Sequence, residues 1–150
     1  MITLVLFLPR SMTLEDLRQV VAPAYPKAGL VVNIAGPTDD GEFQVNNSCG
    51  YVGFSEVDDY WAFGGRLLEF HRAYRARHPQ ATVFYAAPYS DQILQIALQE
   101  IAKHVPEAHL MNDYDAVWSV ADFLNAWTQV DLCSLINARP TGGMFSLYSA

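Results

Sequence analysis

Asp113-Tyr114-Asp115 sets two carboxylates two positions apart. In an extended segment both would point to the same side and could share a hard divalent ion. Acids just ahead of a helical pattern also serve as caps and turn formers. That second role is preferred here, so no metal ligand is assigned. Cys49, in Asn47-Ser48-Cys49-Gly50, would be a loop nucleophile if His71 or His78 lay beside it in space. Without a flanking motif it reads as a small half-buried hydrophobe at a hairpin end, and Cys133, in an apolar stretch, as packing.

The remaining chemical patterns fail one by one. The four histidines, His71, His78, His104 and His109, form no H-x-x-x-H or H-x-H pair. His104 and His109 straddle an expected helix end, where a basic group suits the macrodipole. There is no G-x-G-x-x-G and no G-x-x-x-x-G-K-[ST], the loops that cradle phosphates. Gly53-Phe54-Ser55-Glu56-Val57 lacks the second glycine of a nucleophile elbow. No catalytic residue is assigned and no cofactor is expected.

Charge is more informative. Sixteen acids against nine Lys and Arg give −7 at pH 7. Such a chain repels phosphate backbones, so neither nucleic acid nor an anionic membrane surface is an expected partner. Arg66, Arg72, Arg75 and Arg77 fall on one expected helix with His71 and His78 beside them. They make either a solvated face, partly neutralised by Glu69, or a grip for an anion. Acids gather elsewhere: Asp39, Asp40 and Glu42 in one loop, and Glu56, Asp58 and Asp59 in another. Tyr51, Tyr60 and Trp61 sit among them, a mixture in which carboxylates steer a basic partner and rings anchor it.

The elements that must position these groups alternate between strand and helix patterns. Ile2–Leu8 reads as an apolar run suited to a strand buried on both faces. Thr13 heads a capped helix stopped by Pro23 and Pro26. Leu30–Ala35 reads as a strand, and Glu42–Val45 with Tyr51–Phe54 as a hairpin, with Tyr60–Phe63 a third short strand or a helix approach. A helix is expected over Arg66–Arg77. A strand over Ala81–Ala87, a Ser90-capped helix over Asp91–His104 and a strand over Ala108–Met111 fit a right-handed β-α-β unit. Ser119 caps a helix reaching Trp127. Val130–Asn137 reads as helix, and Thr141-Gly142-Gly143 as a turn into a final strand at Met144–Tyr148.

Together these predict an α+β chain, a mixed α/β sandwich forming a single domain over residues 1–150. Its mixed sheet would have about five to six strands, with about three to four helices packed on it. The core is expected at Leu4, Leu6, Leu30, Val32, Val83, Phe84, Leu94, Ala97, Leu98 and Ile101.

With 51% hydrophobic and 17% charged residues the chain can fold, yet no stretch approaches the roughly 20 apolar residues of a membrane span. No signal-peptide pattern opens it, and two cysteines are too few for a disulfide framework, so a cytoplasmic protein with free thiols is expected. The functional expectation is a small acidic protein-binding domain, of the kind of a bacterial immunity protein that inhibits a toxin by covering its active site. Its partner face would comprise Asp39, Asp40, Glu42, Tyr51, Glu56, Asp58, Asp59, Tyr60 and Trp61, and its partner would be a protein with a basic cleft. A small enzyme using Asp113 and Asp115 with a divalent metal, or Cys49, is the first alternative. An anion-binding or small-ligand module built on the Arg66–Arg77 helix is the second. Composition leaves the oligomeric state open.

Overall fold

Every side chain of Leu4–Leu8 is buried, and this strand (β1) lies inside one sheet. The computed structural model describes residues 3–57 and 65–140, the stretch 65–68 by its backbone. After β1 come α1 (Leu14–Val21), α2 (Ala24–Lys27), β2 (Asn33–Ala35), β3 (Glu42–Asn47), β4 (Gly50–Glu56) and α3 (Gly65–Arg77). Then follow β5 (Thr82–Pro88), α4 (Asp91–His104), β6 (His109–Met111), β7 (Val117–Ser119), α5 (Val120–Trp127) and α6 (Leu132–Ile136). The expected strands at Tyr60–Phe63 and Met144–Tyr148, and the turn at 141–143, lie outside the described residues.

The fold is α+β. Among the described residues seven strands form one sheet in the order β2-β3-β4-β5-β1-β6-β7, more than the five to six expected. The extra strand is β7, three residues squeezed between a turn and a helix cap. Helices are also more numerous than expected. Pro23 and Pro26 do not simply stop α1: the chain restarts in the single turn of α2, where Pro26 sits early enough to forfeit no helical bond.

The sheet is antiparallel rather than mixed, since every neighbouring pair runs antiparallel. The expected β-α-β unit is split. β5 and β6 do run parallel to each other, but β1 lies between them, antiparallel to both.

Local chemistry sets the helix starts. Thr13 Oγ1 accepts from Asp16 N at 3.0 Å while Asp16 Oδ2 accepts from Thr13 N at 2.8 Å, a reciprocal capping box. Ser90 and Ser119 cap α4 and α5 through the backbone N–H groups of Ile93 and Asp122.

Alternation along the strands gives the sheet two different faces. On the first, Leu4, Leu6, Val45, Phe54 and Phe84 pack with residues of α1, α4, α5 and α6. On the second, Val5, Phe7, Val83 and Met111 pack under Phe70 and Tyr74 of α3. Eight of the ten expected core residues are buried. Leu30 and Val32 are only half-buried, because they precede an edge strand and no strand stands opposite them. No helix among the described residues is long and apolar enough to cross a membrane.

Candidate functional site

Four of the acidic residues meet at one corner of the sheet. Glu42 opens β3 and Glu56 closes β4, so hairpin pairing brings the two strand ends together. The turn before β3 is pinned to both strands. Thr38 N donates to Glu42 O at 2.8 Å, Gly41 N to Thr38 O at 3.0 Å, and Glu56 N to Gly41 O at 2.9 Å. Gly41 has φ +76°, and a Cβ there would lie 3.0 Å from Glu56 Oε2, so the glycine lets this carboxylate close on the turn. Asp39, Asp40, Glu42 and Glu56 are all exposed, and none is ion-paired with another described residue.

Tyr51 does not join them. It stands four residues from Ser55 along β4, about 13 Å at the usual strand rise. There its ring packs on Tyr89, with centroids 5.0 Å apart. The two ends still share a face. Val52 and Phe54 turn into the core, so Tyr51, Gly53 and Ser55 turn the other way, beside Glu42, Gln44 and Asn46 of β3. The candidate partner face is this polar strip, with Glu42 at one end and a tyrosine pair at the other; Glu56, in step with Val52 and Phe54, leaves β4 on the opposite side at the same corner. Tyr89, Gln44 and Asn46 were not among the expected site residues, although the two-residue alternation of the hairpin was the signal for the last two. Asp58, Asp59, Tyr60 and Trp61 lie outside the described residues.

Asp113 and Asp115 lie in a turn, as the preferred reading of them as turn formers has it, and it is the metal-sharing alternative that loses its premise. The segment is a tight turn between β6 and β7, not an extended one, and Asp115 has φ +64°. The pair therefore lacks the extended backbone on which the ion-sharing reading rested. No group of three or more His, Cys, Asp or Glu among the described residues could hold a metal ion. Cys49 is exposed on the hairpin turn, where its N–H donates to Asn47 Oδ1 at 2.9 Å. Neither expected histidine partner is shown beside it: His71 is buried next to Phe7, and His78 faces Glu107. Cys133 is exposed rather than packed, because α6 turns Leu132, Leu135 and Ile136 inward instead.

A second polar cluster, unforeseen from the sequence, gathers around Glu107. Ala108 N donates to Val105 O at 3.3 Å, closing a turn with Pro106 and Glu107 at its centre. Glu107 has φ +68°, a position where glycine is usual. Its carbonyl is held by the Tyr74 hydroxyl at 2.9 Å and by His109 Nδ1 at 2.7 Å. Its carboxylate lies 3.4 Å from Arg77 Nη2 and 3.0 Å from His78 Nε2, the latter at ion-pair distance but without hydrogen-bond alignment. Arg77, Glu107, His109, Ser119 and Asp122 line a cleft of about 460 Å³.

A carbonyl accepts, so His109 carries a proton on Nδ1. Burial pushes the His109 imidazole below its ordinary value; Glu107 and Asp122 pull the other way, and His78 adds to the lowering. His71 is lowered by burial and by the nearby Arg75. Both histidines therefore favour the neutral form when folded. Their contribution is complete above the ordinary value of 6.5 and is lost as acid protonates the unfolded chain first. The urea midpoint is expected to hold steady above the ordinary histidine value of 6.5 and to fall progressively as the pH drops below it. A flat midpoint below that value would show that neither ring resists protonation.

Comparison with protein-family models, with curated proteins and with solved structures finds no match to this chain.

Proposed function

We propose that this chain is a protein-binding domain that docks a basic partner across the β3–β4 face. Its most specific form is a cytoplasmic immunity protein of bacterial type that inhibits a toxin by covering a basic cleft. The observation that carries this reading is the gathering of Asp39, Asp40, Glu42 and Glu56 on one pinned corner with no ion-pair partner among the described residues. Four exposed carboxylates on a rigid hairpin project a field toward an approaching cation at little ordering cost. Tyr51 and Tyr89, exposed and in contact, then offer apolar area with a hydroxyl at its edge.

The test is binding kinetics against a basic protein that co-purifies with this chain or is found encoded beside its reading frame. Asp39→Lys/Asp40→Lys is expected to slow association roughly tenfold at low salt, since long-range attraction sets the encounter rate. The effect should shrink near 1 M salt, where the Debye length is about 3 Å. Tyr51→Ala is expected to act on dissociation instead. Unchanged rates for both variants would remove this face from the reading.

A second reading, an anion-binding cleft, is favoured by Arg77 lining the cavity with His109. It stands second because Glu107 already takes that guanidinium. Arg72 and Arg75 are exposed on the same helix, and the Arg66 side chain lies outside the described residues.

A further inference from the structure

We infer that this chain forms a two-fold dimer by pairing β2 with β2 of a second copy, an interaction that needs no other partner but shares Asp39, Asp40 and Glu42 with the proposed partner face. β2 ends the sheet: β3 pairs with one edge, and among the described strands nothing pairs with the other. Alternate N–H and C=O groups of an edge strand point outward and can template a further strand.

The pairing-competent segment is longer than the three residues in the ladder. Burial alternates from Leu30 to Ala35, with Leu30, Val32 and Ile34 half-buried and Val31, Asn33 and Ala35 exposed. The ladder stops at Asn33, one register position before β3 enters its hairpin turn after Asn47. Beside this segment lies an apolar groove of about 440 Å³, walled by Ala22 and Pro26 on one side and by Leu30, Val32 and Ile34 on the other. Val31 is 89% exposed, the most exposed large hydrophobic among the described residues.

Charge selects the occupant. The stretch from Ala28 to Thr38 contains no charged residue, in a chain of net charge −7. Two copies repel one another over most of their surfaces, and this strip lets their backbones approach without opposing like charges. Its ends are complementary. Lys27 precedes it, while Asp39, Asp40 and Glu42 follow it. Antiparallel pairing brings the Lys27 end of each copy toward the acidic end of the other, whereas parallel pairing would set acids against acids. A two-fold axis normal to the sheet keeps like faces together. Leu30, Val32 and Ile34 of both copies then extend one core across the junction, each filling the partner's groove. One ammonium against four carboxylates leaves the acidic corner negative for its own partner.

The test is sedimentation of the full chain over a wide dilution series. The expected result is a reversible dimer. Val31→Lys places two ammonium groups near the axis and is expected to leave a monomer with an unchanged circular dichroism spectrum, since the side chain is exposed. Lys27→Glu is expected to raise the dissociation constant about tenfold, as each substitution counts twice across the axis. Adding Asp40→Lys should restore most of that loss, which a general effect on folding would not do. A wild-type monomer at every concentration would overturn the inference, and so would a dimer indifferent to Val31→Lys and Lys27→Glu.

Discussion

Replacing Asn112 by alanine is expected to cost at least about 3 kcal/mol, because one buried amide satisfies four backbone groups at once. Asn112 is 3% exposed. Its Nδ2 donates to Leu135 O at 3.0 Å and to Ala138 O at 2.8 Å, while its Oδ1 accepts from Tyr114 N and Ala116 N, each at 3.0 Å. Two carbonyls on one side and two N–H groups on the other fix which way the amide points. This side chain therefore closes the β6–β7 turn and ties the end of α6 to it. Alanine leaves these groups short of partners where water has little access, each worth about 1–3 kcal/mol. Asn112→Asp separates the two halves of the network. It keeps the acceptor but turns a carboxylate toward two carbonyls, so its destabilisation should ease as pH falls and the acid is protonated. The measurement is urea unfolding of the three proteins at two pH values. An Asn112→Ala loss under about 1 kcal/mol would mean that water replaces the amide.

Asn112 also marks where a linear reading stops. Its neighbours Asp113 and Asp115 attract attention as a charged pair, yet the residue that organises the turn is the uncharged one before them. The partners that give it importance, Leu135 and Ala138, are more than twenty positions away. Features settled within one turn of chain were legible. The caps at Thr13, Ser90 and Ser119 and the apolar stripe of α4 depend on spacings of three and four residues, and the bounds of α4 coincide with the expected Asp91–His104. Strand direction was not legible. Whether β5 and β6 touch depends on β1, contributed from the other end of the chain, fitting between them.

The candidate site divides along the same line. The acids could be read as clusters because turns keep neighbours close. Tyr51 was expected among them because it lies five residues before Glu56, but an extended strand converts that short separation into distance. Tyr89, which does meet Tyr51, arrives from another strand end. Glu107, His109 and Arg77 come from a turn, a strand and a helix, and only Glu107 in a position favouring glycine signals the site locally, which sequence spacing does not display.

Leu98→Ala is expected to remove about 2–5 kcal/mol of unfolding free energy. Ile93, Leu94, Ala97, Leu98 and Ile101 of α4 are all fully buried, and α4 lies in the main core with residues of α1, α2 and α5. Several neighbours of this face are held by their own constraints. Tyr25, on α2, donates its hydroxyl to Ile93 O at 3.1 Å, and Leu4, Leu6 and Leu8 are fixed by pairing with β5, Leu6 with β6 as well. A surface so braced collapses poorly onto a vacated space, which favours the upper half of the range, since residual cavity volume adds about 24 cal/mol per Å³. Against a typical total of about 5–15 kcal/mol, that loss consumes a large part of the stability. Val130→Ala supplies the contrast. Val130 is exposed, so its truncation should stay within about 0.5 kcal/mol. Urea unfolding should show a lower midpoint and an unchanged slope for Leu98→Ala, the pattern of a lost native contact rather than an altered unfolded state. A change of only a few tenths of a kcal/mol would mean that α4 does not present Leu98 to the sheet, and the layer arrangement would have to be redrawn.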